Sequence, residues 1–277
     1  MPELPEVETI VQDLLRAGLV GKKVVDAHVK WHKTIATSSP QEFIFRITGQ
    51  SINAIKRAGK FLVFSLSKND FLLIHLRMTG KLRFVSSTTS RAPHEHVILV
   101  LNNDMELRFH DTRKFGRWYL VSDAQIVLGA LGLDPLEENF NLKEFQQHLS
   151  RRARQLKPLL LDQTVLAGLG NIYVDEALWE AKLHPQRLSN ALKPGEIKKL
   201  FSAIITVLKR GLLASGTTLG KGLGNFYRLD GSAGKHQQIL KVFRRTGLPC
   251  PRCGTTIIRL IVGQRSTHVC PVCQSQV

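Results

Sequence analysis

Apolar residues near the start of the chain recur at the spacing of one helical face. Between residues 7 and 19 they fall every three or four positions, at Val7, Ile10, Val11, Leu14 and Leu15. Residues three and four apart lie on the same side of an α-helix. This spacing therefore predicts an amphipathic helix over residues 7–19.

The following hundred residues have a different pattern, in which short apolar runs alternate with polar turns. Asn69-Asp70 and Asn102-Asn103-Asp104 are two of these turns. The runs occupy residues 61–64, 71–74, 97–100 and 118–121. Short runs at such intervals are typical of antiparallel strands. The pattern predicts an antiparallel β-sandwich or barrel.

Helical periodicity returns from residue 142 onward. The candidate helices span residues 143–149, 157–162, 172–181 and 194–213. Pro194 suits the first turn of the last one, since that turn needs no backbone N–H. The glycines within residues 167–171 predict a tight turn, and the Gly- and Thr-rich segment 215–232 predicts a mobile loop.

These patterns predict an α+β protein with an N-terminal antiparallel β-sandwich and flanking helices. The predicted parts are a sandwich domain over residues 1–130, a linker over 131–141, a helical domain over 142–242 and a small cysteine module over 243–277. A chain of 277 residues, 43% of them hydrophobic, is long enough for two modest cores.

The charge balance points to a polyanionic partner. The chain carries 39 Lys and Arg against 22 Asp and Glu, a formal charge of +17. Nucleic acid is the partner expected first, because each neutralised phosphate releases counterions. The alternative is a basic protein without such a partner.

The chain lacks an apolar stretch of about 18 residues, so we expect no membrane-spanning helix and no membrane partner. Its acidic N-terminus is unlike a signal peptide, which predicts a cytoplasmic protein. Reducing conditions there disfavour disulfides and favour metal binding by cysteines. A two-domain monomer is large enough for a specific DNA interface of about 1,000–2,500 Å², so we expect a monomer.

All four cysteines have the spacing of a zinc site. Two Cys-x-x-Cys pairs lie sixteen residues apart, formed by Cys250, Cys253, Cys270 and Cys273. Two such pairs complete a tetrahedral site, and a closed Cys₄ shell makes the zinc structural rather than catalytic. The hairpin between the pairs carries Arg259, Arg265 and His268. An arginine at its tip can form paired hydrogen bonds with a phosphate.

Pro2 is a candidate nucleophile. A small second residue permits removal of Met1, which would expose a secondary amine. The pKa of an α-amino group is near roughly 8, so part of it is neutral and able to form a Schiff base. Glu3 is a candidate acid or base beside it. Alternatively, Pro2 and Pro5 stiffen a leader, while Glu3 and Glu6 favour the start of a helix.

Motifs spread over the whole chain resemble one enzyme family. They are Pro2-Glu3-Leu4-Pro5-Glu6-Val7-Glu8-Thr9, Arg57-Ala58-Gly59-Lys60, His75-Leu76-Arg77-Met78, Asp111-Thr112-Arg113-Lys114-Phe115-Gly116, Gly168-Leu169-Gly170-Asn171-Ile172-Tyr173, and the cysteine finger with Gln264-Arg265-Ser266-Thr267. Their order and content resemble the bacterial formamidopyrimidine-DNA glycosylases. The sister family, the pyrimidine-specific endonuclease VIII enzymes, has glycine where Leu4 stands, which favours the purine branch.

The resemblance implies a bifunctional DNA glycosylase/AP lyase of base excision repair that acts on double-stranded DNA. Such enzymes excise 8-oxoguanine and formamidopyrimidines through a Schiff base and then cleave the strand by β,δ-elimination. By position, Pro2 would be the nucleophile and Glu3 the general acid. Lys60 would donate a proton in β-elimination, and Arg265 would bind phosphate and assist δ-elimination. Without the motif, Lys60 would be a solvated turn residue.

The resemblance also implies a set of DNA contacts, because the damaged base must leave the helix. Met78, Arg113 and Phe115 match the residues that fill the gap. Met and Phe can wedge between bases, and Arg can bond the orphaned base. Core packing is the alternative for Met78 and Phe115.

Further contacts follow by position. Gly168–Tyr173 resembles the helix–two-turn–helix element, whose helix N-terminus attracts phosphate. The other candidate DNA contacts are His75, His94, Arg152 and Asn171. His94 could equally be a surface histidine before a strand.

Two departures from the family leave the lesion preference and the discrimination of the opposite base open. Thr79 stands where several relatives carry Glu, so contacts near the oxidised base are expected to differ. The base-capping loop, residues 217–230, is longer, with residues 221–225 in the expansion. A pyrimidine-lesion enzyme and a zinc-ribbon DNA-binding module without catalysis remain as alternatives.

Overall fold

The computed structural model describes residues 1–220, 222 and 225–276. The chain divides into two compact units. The first unit comprises Met1–Gly129 and Ala214–Lys235, and the second comprises Ala130–Leu213 and the chain from His236 onward. Lys221, Leu223 and Gly224, within the predicted loop expansion, lie outside the described residues.

The first unit begins with helix α1, Leu4–Arg16. Val7, Ile10, Val11 and Leu14 are buried on one face, as their spacing predicts. The helix begins three residues earlier than predicted, because Glu3 and Glu6 form a capping box at its N-terminus.

Eight antiparallel strands form two four-stranded sheets. Their bounds are β1 Val24–Val29, β2 Ile52–Ala58, β3 Phe61–Leu66, β4 Phe71–His75, β5 Lys81–Ser86, β6 Glu95–Leu101, β7 Met105–His110 and β8 Arg117–Val121. The sheet orders are β1-β6-β7-β5 and β2-β3-β4-β8. One hydrophobic core takes side chains from both sheets, from α1 and from helix α2, Pro40–Ile47. The predicted β-sandwich with flanking helices is confirmed.

The four predicted apolar runs lie in β3, β4, β6 and β8. The other strands did not stand out because charged residues interrupt their apolar positions, such as Arg83 in β5 and Arg108 in β7. Arg108 is fully buried, and its guanidinium bonds the carboxylates of Glu95 and Glu106. A short helix α3, Gln125–Leu128, follows β8.

Residues 214–235 belong to the first unit, although we predicted this segment as part of the helical domain. The N–H of Thr217 donates to Glu6 Oε1 at 2.8 Å. Arg228 Nη2 lies 2.7 Å from Asp13 Oδ1, and the N–H of Leu229 donates to Asp13 Oδ2 at 3.3 Å. Two carboxylates on α1 thus hold the segment, and its loop-like composition carries no sign of these long-range bonds.

The second unit is helical, with a two-stranded hairpin near its end. Its elements are α4 Leu142–Ser150, α5 Leu156–Leu161, α6 Asn171–Glu180, α7 Pro194–Leu213, β9 Ile258–Val262 and β10 Arg265–Val269. The four predicted helices agree with these bounds to within one residue, and Pro194 opens α7. Every residue from 172 to 179 is buried, so α6 is the central helix of the unit. No helix of the described residues is long and apolar enough to cross a bilayer.

Candidate active site and nucleic-acid interface

The N-terminal segment places two carboxylates beside Pro2. Pro2 is buried, and Glu3 and Glu6 are only 3% and 1% exposed. The N–H of Glu3 donates to Glu6 Oε2 at 2.8 Å, which holds the backbone next to Pro2. Glu3 and Glu6 therefore do favour the helix start, as the alternative interpretation says. The same contacts also keep a candidate acid next to Pro2.

Lys60 follows Gly59 in the tight turn between β2 and β3. Its side chain is buried, at 6% exposure, so it is not the solvated lysine of the alternative interpretation. Arg57 reaches from β2 to two partners, with Nε 3.2 Å from Glu8 Oε2 on α1 and Nη1 3.1 Å from the Gly59 carbonyl. Arg57 thus ties the turn that carries Lys60 to the helix that begins beside Pro2.

His75 ends strand β4 and is a neutral hydrogen-bonding group. Its Nδ1 accepts from the N–H of Arg77 at 3.0 Å. Burial, followed by the charges of Arg77 and Lys60, lowers the pKa of His75 to about 3. With Nδ1 occupied as an acceptor, Nε2 carries the proton and can donate to an anion.

The lowered pKa makes the stability of the protein depend on pH in a definite direction. The unfolded chain takes up a proton on His75 below about pH 6.5 whereas the folded chain does not, so stability falls as pH falls. We expect wild type to lose about 2 kcal/mol more than His75→Gln between pH 7 and pH 5. Urea unfolding at both pH values measures this difference. Equal losses would show that His75 titrates normally in the folded protein.

The structure brings the three predicted gap-filling residues together. Arg113 Nη1 lies 3.1 Å from Met78 Sδ, and the Arg113 guanidinium carbon lies 4.7 Å from the centre of the Phe115 ring. Met78 and Phe115 are 43% and 45% exposed. Core packing therefore does not explain either apolar side chain. We call these three residues the wedge.

His94 is exposed, directly before strand β6, in a left-handed conformation with φ of 65°. Its ring lies 6.3 Å from that of His96 and 5.9 Å from that of His110. This position fits both a DNA contact and the plain surface histidine of the alternative interpretation.

A buried polar cluster joins helices of the second unit to the hairpin. Lys157 and Asp175 are fully buried, with Lys157 Nζ 2.6 Å from Asp175 Oδ1. The other carboxylate oxygen accepts from the N–H of His268 at 2.9 Å. Lys157 Nζ and Asn171 Nδ2 both donate to the carbonyl of Ser266, at 2.8 and 3.0 Å. The cluster thus fixes the strand that begins with Arg265.

Breaking the Lys157–Asp175 pair should destabilise the protein strongly. Lys157→Met removes the ammonium partner of the fully buried Asp175 carboxylate and leaves it with the His268 ring at 3.0 Å, which costs about 3–5 kcal/mol of unfolding free energy. The matched control is Arg154→Met, which breaks the exposed Arg154–Asp162 pair of the same unit and should cost less than about 1 kcal/mol. Urea unfolding compares the two. Equal small losses would mean that the buried pair contributes nothing beyond packing.

Arg265 is exposed at the start of β10, next to the bonded Ser266. Asn171 opens α6, and its Oδ1 is buried without a hydrogen-bond partner. Arg152 follows α4, and its Nη1 donates to the carbonyl of His148 at 3.0 Å. The structure therefore links Asn171 with the residue that follows Arg265. The Arg152 guanidinium contacts His148 on the preceding helix.

The four cysteines converge on one point. Their sulfur atoms all lie within 4.8 Å of one another. In a tetrahedral site with Zn–S bonds of about 2.3 Å, the sulfurs lie ~3.8 Å apart. The pairs Cys253–Cys270 and Cys250–Cys273 are separated by 3.4 and 4.0 Å. The donor set and its spacing fit one structural zinc ion, as predicted.

Several residues that hold these sites in place were not predicted from the sequence. Asp111 and Asp175 are fully buried carboxylates, and Asp13 anchors residues 214–235. Asp111 lies within a recognised motif, which was a usable signal. Lys157 and Asp175 lie on apolar helices eighteen positions apart, and the spacing alone does not pair them.

Three family profiles match the chain in order. They are the formamidopyrimidine-DNA glycosylase N-terminal domain over residues 1–118, the formamidopyrimidine-DNA glycosylase H2TH domain over residues 131–222, and the zinc finger found in FPG and IleRS over residues 247–276.

Whole-length relatives agree with the profiles. The chain is 52% identical to a formamidopyrimidine-DNA glycosylase of Protochlamydia amoebophila, covering all of both chains. It is 47% identical to one of Herpetosiphon aurantiacus, over 99% of this chain and all of the relative. It also superposes with a TM-score of 0.91 on a Lactococcus lactis FPG mutant in complex with a Fapy-dG containing DNA. In that pair, 37% of residues are identical, and 99% of this chain and 100% of the other are covered.

The β-sandwich, the helical unit and the Cys₄ hairpin thus match the parts of these proteins over essentially the whole chain. The non-catalytic zinc-ribbon alternative does not account for a match of this extent. The chain belongs to the formamidopyrimidine-DNA glycosylase family, enzymes of base excision repair that are bifunctional DNA glycosylases and AP lyases.

Proposed function

We propose that this enzyme excises oxidised purines through a Schiff base on the amine of Pro2 and then cleaves the strand by β,δ-elimination. The observation that carries the proposal is the N-terminal geometry. Pro2 is buried next to Glu3, and Glu6 holds the Glu3 backbone N–H at 2.8 Å. Once Met1 is removed, this arrangement supplies a secondary amine with an acid beside it.

The chemistry assigns one task to each group. The amine of Pro2 attacks C1′ of the damaged nucleotide and the base leaves with the electrons of the glycosidic bond. The C1′–O4′ bond then opens, O4′ takes up a proton, and an iminium between C1′ and the Pro2 nitrogen remains. Glu3 donates a proton as general acid. Lys60, held by the turn that Arg57 braces, donates a proton in β-elimination. Arg265 binds phosphate and assists δ-elimination from the exposed end of β10.

The zinc ion keeps the hairpin of Arg265 folded when it is bound. All four ligand positions are taken by cysteines, so no position is open for substrate. Cys250 also accepts a hydrogen bond from Trp179 Nε1 at 3.4 Å, which attaches the site to helix α6. The proposed part of the metal is therefore structural.

We propose that double-stranded DNA is bound by residues of both units. In the first unit these are His75, His94 and the wedge, which fills the gap left by the flipped nucleotide. In the second unit they are Arg152 and Asn171, the latter at the N-terminus of α6, where backbone amides attract phosphate. The net charge of +17 supports a salt-sensitive contact with phosphates.

The preference for purine lesions is supported by the solved relatives. Lactococcus lactis proteins of this fold were crystallised with DNA that contains Fapy-dG or an abasic site. An oxidised-pyrimidine enzyme is the second candidate. Single-turnover excision from duplexes with 8-oxoguanine, a formamidopyrimidine or an oxidised pyrimidine, each opposite its normal partner, separates the two. We expect both purine lesions to react faster. A faster pyrimidine lesion would overturn the assignment.

The cytoplasmic location and the monomeric state stay predictions. Sedimentation of the zinc-loaded full chain, alone and with one equivalent of lesion duplex, tests the second. We expect one chain per duplex, and a dimer on DNA would contradict the prediction.

A further inference from the structure

A buried carboxylate joins the two turns that carry the wedge. Asp111 is fully buried, and its Oδ2 accepts from the N–H of Gly116 at 2.7 Å. Its Oδ1 accepts from the N–H of Arg113 at 3.2 Å and from the hydroxyl of Thr79. Arg113 and Gly116 belong to the turn after β7, whereas Thr79 follows Met78 in the turn after β4. One side chain therefore bonds both turns.

Thr79 completes the link from the Met78 side. It is 8% exposed. Its hydroxyl oxygen accepts a hydrogen bond from the N–H of Arg113 at 3.3 Å, and its hydroxyl O–H donates a hydrogen bond to Asp111 Oδ1. The hydroxyl is thus already engaged within the protein. Because the hydroxyl has a single proton, donation from it to the oxidised base would break the bond with Asp111.

Both turns contain backbone that needs such support. Arg77, directly before Met78, has a φ of 54°, and Lys114, directly before Phe115, has a φ of 59°. Left-handed conformations of non-glycine residues cost about 1 kcal/mol or more and persist where neighbouring contacts hold them. Each of these residues lies immediately before an apolar wedge residue, so its backbone conformation determines the direction in which the chain enters that residue.

The two turns also pack on one aromatic ring. A Cβ added at Gly80 would lie 2.8 Å from the ring of Phe109, and one added at Gly116 would collide with the same ring. Glycine is required at both positions for this approach. The Phe109 ring therefore limits how closely the two turns approach each other, and the hydrogen bonds of Asp111 and Thr79 fix their relative position.

We propose that Thr79 is a positioning residue that acts through Asp111 to hold Met78, Arg113 and Phe115 as one preformed wedge. The proposal rests on the proposed function, since it concerns the gap that the flipped nucleotide leaves. A wedge held in its working shape loses less conformational entropy on insertion. Thr79 thus serves base flipping and donates no hydrogen bond to the lesion itself.

The test compares two substitutions in the zinc-loaded full chain. Thr79→Val keeps the shape and removes the hydroxyl, whereas Thr79→Ser keeps the hydroxyl. On a duplex with 8-oxoguanine opposite cytosine, we expect single-turnover excision to slow by about tenfold in Thr79→Val, the effect of one hydrogen bond to a charged group. Thr79→Ser should stay within about twofold of wild type. If Thr79→Val does not fold, Thr79→Ala replaces it with the same expectation.

Two further readouts separate positioning from a general loss of structure. Cleavage of a single-stranded abasic site needs no gap filling, so Thr79→Val should cleave it at the wild-type rate. The fluorescence of 2-aminopurine placed beside the lesion reports flipping, and its rise should be slowed in Thr79→Val and in Phe115→Ala.

The outcomes are distinct. If excision from the duplex is slow in Phe115→Ala but proceeds at the wild-type rate in Thr79→Val, the inference is overturned and the proposed function stands. Equal losses on the duplex and the single strand, or failure of Thr79→Ser to restore the rate, would overturn it too. Absence of excision by wild type would instead reject the proposed function.

Discussion

Replacing Pro2 with glycine is expected to reduce the borohydride-trapped DNA adduct by at least about 100-fold. Glycine keeps an amine, but it loses the pyrrolidine ring that fixes the direction of the nitrogen, and it replaces a secondary amine, whose Schiff base is always a cationic iminium, with a primary amine. A misplacement of about 1 Å in a reacting group can cost about 100-fold in rate. The assay traps enzyme on duplexes that contain 8-oxoguanine or an abasic site.

Pro5 supplies the matched control, because it is the second proline of the same leader and lies in the first turn of α1. If the prolines only stiffen the leader, Pro5→Ala and Pro2→Gly should reduce trapping equally. We expect Pro5→Ala to form the adduct and Pro2→Gly not to. Salt-sensitive DNA binding should be largely intact in Pro2→Gly, since the positive charge is unchanged. Undiminished trapping by Pro2→Gly would reject Pro2 as nucleophile.

Replacing Cys270 with serine is expected to unfold the hairpin and to abolish strand cleavage. Cys270 is fully buried, and it lies in one small apolar cluster with Cys250, Trp179, Val242 and Ile257. Structural zinc sites in finger peptides contribute about 10–16 kcal/mol at neutral pH. That is comparable to the total stability of about 5–15 kcal/mol of a typical domain. The hairpin cannot compensate for such a loss.

The measurements for Cys270→Ser are zinc content by mass spectrometry of metals, thermal unfolding and cleavage of an abasic duplex. Arg265→Ala is the companion variant, because Arg265 is exposed and forms none of the zinc bonds. It should keep one zinc ion per chain and the unfolding temperature of wild type, and lose phosphate binding and δ-elimination. Full cleavage activity in zinc-free Cys270→Ser would contradict a structural role of the metal in positioning Arg265.

Local rules predicted much of the fold. The periodicity of α7 and its proline at residue 194 located that helix to the residue, and Cys-x-x-Cys spacing identified the metal site. In each case the signal lies within one element or two short motifs. Strands with buried charge, such as β7 with Arg108, were missed because their charged residues find partners only in the folded sheet.

The sequence predicted which residues belong to the candidate sites, but it did not predict the hydrogen bonds that hold them together. The motifs named Met78, Arg113 and Phe115, while the carboxylate that joins their turns became evident only from hydrogen bonds between residues 79 and 111. The sequence predicts changed contacts near the oxidised base at Thr79, and the structure adds that the Thr79 hydroxyl donates to Asp111. The sequence places residues 214–235 in the helical domain, whereas the structure places them in the first unit. The bonds that hold them there, to Glu6 and Asp13, join residues more than two hundred positions apart, and no local pattern reveals such bonds.

The central proposal is that the nitrogen of Pro2 bonds to the DNA, and peptide mapping of the trapped complex tests it most directly. The enzyme is reduced with borohydride on an 8-oxoguanine duplex and digested with a nuclease and a protease, and the modified peptide is sequenced by mass spectrometry. We predict that Met1 is absent and that the sugar remnant lies on the Pro2 nitrogen. A remnant on Lys60 or another lysine, or a trapped enzyme that retains Met1, would contradict the proposal.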